Sequence, residues 1–182
     1  MSLKSTKTRY GTVAISIHWL SAVLILVLLG SGFRAGQTID PMAKADILRM
    51  HVPLGIAILL LTIFRIIWWR WYDVKLEPVG HEPRWQELAA KAVHVLFYII
   101  ILGMVASGIG MLLLSGAGAI LFGGTDGPLP DFNLYPPRIP HGLGARLIVG
   151  LLVLHAGAAL YHHFVKHDAT LRRMWFDREG KK

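Results

Sequence analysis

The sequence predicts an all-α membrane protein, a bundle of four transmembrane helices. Two observations carry that expectation. Of 182 residues, 54% are hydrophobic and only 16% charged, which lies outside the soluble range. Four apolar stretches, at 13–33, 50–69, 88–114 and 143–165, each approach or exceed the roughly 20 residues that an α-helix needs to cross a bilayer. The length suits a single domain over 1–182.

The first stretch follows a charged start and so looks like a signal peptide. Its apolar run is too long for one, carries His18 and Trp19, and lacks a small-residue cleavage site. It is expected to stay as the first span. The second is broken only by Arg65 near its end. The connection 34–49 reads as a short loop. Residues 115–140 are rich in Gly and Pro and read as irregular, with 117–122 apolar enough to lie on the membrane surface and cap a site there.

Four spans place both termini on one side. Fourteen of the nineteen Lys and Arg fall on that side, Arg178, Lys181 and Lys182 among them. The positive-inside bias therefore assigns both termini to the cytoplasm, with Trp68, Trp69, Trp71 and Tyr72 as an inner aromatic belt. On the outer side, Arg34, Lys44, Arg49 and Arg138 are offset by Asp40, Asp46, Asp126 and Asp131, leaving Arg146 in addition. The net charge of +8 follows the membrane topology and forms no basic stripe, so nucleic acid is excluded as a partner; the partner is the lipid bilayer.

With no cysteine and nine histidines, the strong metal ligands are imidazoles. His141 and His155 lie fourteen residues apart on the fourth span. Fourteen residues turn a helix to within about 40° of four full turns and raise it about 21 Å. Both rings leave one face at two depths, as two stacked b-type haems require. His51 matches His141 in depth on the outer side. On the inner side either His18 or His94 matches His155, and the segment ISIHWL favours His18. Polar residues within spans are costly and tend to be functional. Two histidines on each iron leave no open position, which suits electron transfer rather than oxygen binding.

Arg65 shares the face of His51, and Arg146 lies five residues after His141. Both are candidate partners for haem propionates, since a guanidinium binds carboxylates with charge-assisted bonds; Arg65 can equally snorkel to the interface. Gly55, Gly103, Gly108, Gly150 and Gly157 lie within spans, where glycine admits a close helix or a flat macrocycle. His162 is seven residues beyond His155, on nearly the same face. It is a candidate proton donor for a quinone, with Arg84 and Trp175 as further candidates.

The segments TRYGTVAISIHWLSA, MHVPLGIAILLLTIFRIIWW, AAKAVHVLFYII and HGLGARLIVGLLVLHAGAALYHHFVKHDATLRRM, in this order, resemble the bacterial cytochrome b561 family, and most closely its small four-helix members that oxidise superoxide. The resemblance implies two haem b groups, held by His18 with His155 and by His51 with His141. It implies location in the bacterial inner membrane, superoxide as reductant on the periplasmic side, and ubiquinone as acceptor near His162. Two rival expectations remain. One is a cytochrome b subunit passing electrons between a partner redox protein, a dehydrogenase or hydrogenase, and the quinone pool. The other is a metal-ion carrier, which the absence of acids within the spans disfavours.

Overall fold

A computed structural model describes residues 2–78, 83–123 and 127–176; Asp126, Arg178, Lys181 and Lys182, counted above, lie outside them. The described chain is helical. Helix α1 is Thr12–Gln37, α2 is Pro41–Ile67, α3 is Arg84–Ser115, α4 is Ala117–Phe122 and α5 is Arg138–Phe164. A π-helical segment, Trp68–Tyr72, continues α2. Four helices are long and apolar enough to cross a membrane, α4 being the exception. Only 6–17% of their most apolar stretches is buried inside the protein. Leu20, Leu26, Leu60, Ile99, Leu113 and Leu154 stand exposed, as befits surfaces that meet lipid.

Two connections differ from the sequence expectation. The loop expected at 34–49 is reduced to 38–40, because α2 begins at Pro41. Proline suits the first helical position, where its missing N–H is no loss. Asp40 caps the helix, its Oδ2 accepting from Ala43 N at 2.9 Å. His51 therefore lies well inside α2 rather than at its start. The stretch 115–140, expected to be irregular, contains α4 and a short 3-10 turn at Phe132–Leu134. Ala117 and Leu121 are buried, and Arg49 Nε donates to Leu121 O at 2.9 Å.

The contacts divide the chain into two compact units, and each long helix contributes to both. One comprises Met1–Ser21, Leu61–Phe97 and Val149–Lys182. Here Asp73, just past the π-helical segment, accepts from Ser5 N at 2.7 Å and from Ser5 Oγ at 2.8 Å. Ser5 Oγ in turn accepts from Gly11 N at 3.0 Å. A side chain at Gly11 would lie 2.4 Å from the Lys4 carbonyl carbon, so glycine is required where the chain doubles back. Lys7 pairs with Glu77 at 3.2 Å, and Arg173 Nη1 donates to Glu77 O at 2.8 Å. Both terminal segments are thus tied to the residues that follow α2.

The other unit comprises Ala22–Leu60 and Tyr98–Ile148. In it α5 comes close to α3 at Gly144, where a Cβ would lie 2.5 Å from Met104 Sδ and 2.9 Å from Met104 Cγ.

Candidate functional site

Each unit holds one pair of facing histidines. In the second unit His51 on α2 and His141 on α5 have ring centres 6.3 Å apart. In the first, His18 on α1 and His155 on α5 are 6.0 Å apart. His94 on α3 stands 5.3 Å from His155 with the rings nearly perpendicular.

In the His51–His141 pair, hydrogen bonds fix which ring nitrogen is free. His141 Nδ1 is 3.0 Å from the Met104 carbonyl. A carbonyl only accepts, so Nδ1 carries the hydrogen and Nε2 keeps its lone pair. Ser107 Oγ lies 3.0 Å from the same nitrogen and donates its own hydrogen to Met104 O at 2.9 Å. Across from it, His51 Nδ1 is 2.8 Å from Ser31 Oγ, which donates to Leu28 O at 3.2 Å and so has its oxygen free to accept. Both serines are buried. Glycine lies against each ring: a Cβ at Gly32 would be 3.2 Å from His51 Cε1, and one at Gly108 would be 3.4 Å from His141 Cε1.

This arrangement fits a haem iron. Two imidazoles bound through Nε2 on opposite sides of one iron, with bonds of about 2 Å, place their ring centres about 6.3 Å apart. The His51–His141 and His18–His155 spacings match that value. Ligating histidines also hand their second N–H to a hydroxyl or carbonyl, which fixes the tautomer and the ring orientation. His94 has the same feature, Nδ1 lying 2.7 Å from Ala90 O, yet its distance from His155 is about 1 Å short of the two-ligand spacing. Among the described residues, no group of three or more His, Cys, Asp or Glu is placed to hold a bare metal ion. Paired imidazoles without further donors suit a metal whose other positions a macrocycle fills.

The arginines are placed differently from one another. Arg65 is half-buried, with Nη2 3.5 Å from His18 Nδ1, so it turns toward the histidine rather than only toward an interface. Arg146 is exposed, and its Nη1 donates to Gly142 O at 3.1 Å. Arg138, not singled out from the sequence as a site residue, converges on the same place: a Cβ at Gly142 would be 3.1 Å from Arg138 Nη1 and 3.6 Å from Arg146 Nη1. Two acids of the same unit are engaged locally, Asp46 with Arg49 at 2.7 Å and Asp131 with Asn133 N at 3.0 Å.

His162, Arg84 and Trp175 fall into separate sets of contacts. His162 pairs with Asp168. Trp175 packs edge-on against Trp19 at 5.2 Å, and Trp19 Nε1 donates to Met174 O at 2.8 Å. Arg84 is exposed at the start of α3, two residues before Gln86, whose Oε1 accepts from Lys166 Nζ at 3.3 Å. Gly55, Gly103, Gly150 and Gly157 have nothing within 4 Å of a Cβ position.

The sequence reading missed Ser31, Ser107, Arg138 and Asp168. Hydroxyls inside apolar spans were a visible signal for the serines. Asp168 was visible only as an acid six residues after His162.

Known proteins resemble the chain along nearly its whole length. The family described as Prokaryotic cytochrome b561 matches residues 9–177. Cytochrome b561 homolog 2 of Escherichia coli (strain K12) is 29% identical over 186 residues, covering 96% of this chain and 95% of that protein. A protein of Yersinia pestis named probable superoxide oxidase CybB is 31% identical over 180 residues, covering 94% and 98%. Cytochrome b562 of Cereibacter sphaeroides is 28% identical over 172 residues, covering 91% and 94%.

Proposed function

The chain belongs to the prokaryotic cytochrome b561 family, membrane electron-transfer proteins that bind b-type haem, and from that premise we propose that it is a di-haem superoxide:ubiquinone oxidoreductase of the bacterial inner membrane. Two superoxide ions each lose one electron and become oxygen on the periplasmic side. One ubiquinone gains both electrons and two cytoplasmic protons and becomes ubiquinol. The observation that carries this reading is the recurrence of the two-ligand histidine spacing, 6.0 Å and 6.3 Å, once in each unit.

Bound haem b supplies one-electron chemistry at potentials set by its ligands and their surroundings. The chain's own residues do the rest. His51 and His141 hold one group, with Ser31, Ser107 and the Met104 carbonyl orienting their rings. His18 and His155 hold the other. Arg65 beside His18 adds a positive charge, which favours the electron-rich state of whatever His18 binds. His94, close to His155 but off the two-ligand spacing, would lie beside that group without holding it.

Superoxide is an anion, and a local excess of cations raises its concentration at the surface. Arg138 and Arg146 provide this beside His141, even though the outer loops are nearly balanced in formal charge. The Yersinia pestis relative carries superoxide oxidation in its name. At the cytoplasmic side, His162 meets the quinone head group.

The test is a reduced-minus-oxidised absorption spectrum of the purified protein during superoxide supply with a ubiquinone present. Low-spin haem bands that reduce with superoxide and reoxidise with quinone are expected. Bands that ignore superoxide but respond to a co-purifying dehydrogenase would replace this reading with that of a cytochrome b subunit.

A further inference from the structure

We propose that Asp168 is a positioning residue for proton delivery: its carboxylate holds His162 in the Nδ1–H tautomer, leaving Nε2 as the atom that exchanges a proton with the quinone. The proposal rests on the reading that a quinone is reduced beside His162.

The chain builds this pair with a specific turn. Helix α5 closes with Val165 N donating to Tyr161 O at 2.9 Å, and Lys166 N then donates to the same oxygen at 3.1 Å. His167 adopts a left-handed conformation with φ of 54°. That conformation is disfavoured for a non-glycine residue, and such residues persist where the surroundings impose them. The turn sends the chain back, so that Asp168 N donates to His162 O at 3.2 Å. One carboxylate oxygen then accepts from Thr170 N at 2.8 Å, and the other faces His162 Nδ1. Both side chains are mostly buried, at 21% and 17% exposure.

The direction of the hydrogen bond follows from the acid. Burial acts to raise the Asp168 carboxyl, but hydrogen bonds from Thr170 and His162 outweigh it and hold it at about 2. At any working pH it is a carboxylate, which only accepts. The hydrogen therefore resides on His162 Nδ1. A fixed tautomer matters because a histidine of the wrong tautomer presents an N–H where a lone pair is needed. When His162 is protonated, Nε2 gives its proton to the reduced quinone, and water on the cytoplasmic side returns one to the same nitrogen.

Asp168→Asn separates this role from helix capping. Its amide oxygen still accepts from Thr170 N, while its NH₂ group donates to Nδ1 and moves the ring hydrogen to Nε2. The experiment follows quinol formation from a short-chain ubiquinone by the full-length haem-loaded protein. It also records ¹⁵N spectra of labelled histidine in the reduced protein, with His162 assigned by its loss in H162Q. Expected for D168N are unchanged haem bands, kcat down tenfold or more, KM within twofold, and a His162 signal shifted to the Nε2–H form. D168E restores most of the rate. H167G, which removes the left-handed cost and keeps the pair, behaves as wild type. If H162Q is impaired while D168N keeps both full kcat and the Nδ1–H signal, the positioning role is overturned. If H162Q itself reduces quinone at the full rate, the quinone reading beside His162 fails, and the proposal with it.

Discussion

Gly144 tests how far the His51–His141 pair depends on packing. A methyl group there would overlap Met104 Sδ at 2.5 Å and Cγ at 2.9 Å, with Ile100 Cγ2 at 3.6 Å. Overpacking of this kind costs about 1–3 kcal/mol, and the better helix propensity of alanine returns up to about 1 kcal/mol. The Met104 side chain can yield, so Gly144→Ala is expected to lose about 1 kcal/mol net, roughly 2–4 °C in Tm for a chain of this size. Gly144→Val adds two more carbons to the same space and forces the two helices apart. Met104 also supplies the carbonyl that accepts from His141 Nδ1, so the damage falls on this pair. The assay is thermal melting in detergent, followed by the haem band, with the haem-to-protein ratio measured beforehand. If His51 and His141 hold one haem as proposed, G144V is expected to lose that haem and keep the other. Gly150→Ala, with nothing within 4 Å of the new carbon, should be neutral or slightly stabilising. A G144V protein with wild-type melting and full haem content would refute the reasoning.

Other perturbations give distinct outcomes. Ser107→Ala removes one of two oxygens near His141 Nδ1 while leaving Met104 O; about 1 kcal/mol of stability and weaker haem retention at that pair are expected in melting and haem-extraction assays. Arg65→Met removes the guanidinium beside His18, and potentiometric titration should show one of two haem midpoints lowered. Asp73→Ala strips two acceptors from Ser5, costs about 1–3 kcal/mol, and should open the N-terminal segment to limited proteolysis. On acidification, the Asp168 carboxyl is depressed from 3.8 to about 2, so the stability it contributes is complete above about pH 4 and disappears as pH falls through 2. That loss, about 2 kcal/mol at most, should be absent from the acid melting profile of D168N.

The four spans were legible because lipid demands continuous apolar runs, and the histidines were legible because imidazole inside such runs is costly. The helix ends were less so. Hydropathy marks the part of a helix that crosses lipid, while α2 continues outward through Lys44, Asp46 and Arg49 to Pro41. Its start was written in the sequence as Asp40–Pro41, a cap and a first-turn proline, but the polar residues between masked it. Helical rotation could place His141 and His155 on one face, yet it could not choose between His18 and His94, because depth is the same for both. That choice needs distances across helices: 6.0 Å for His18 and 5.3 Å for His94. The partners of the ring nitrogens, Ser31, Ser107 and Met104 O, come from other helices and follow no spacing rule. Asp168 reaches His162 only through the left-handed turn at His167, a conformation that histidine does not announce.

The central claim is that two histidine pairs each hold one haem. The most direct measurement is the haem-to-protein ratio of the purified wild type and of alanine variants at His18, His51, His94, His141 and His155. The account predicts a ratio of about two for the wild type and His94→Ala, and about one for each of the other four variants. Loss of a haem in His94→Ala with retention in His18→Ala would contradict the pairing, and a wild-type ratio of one would contradict the di-haem reading itself.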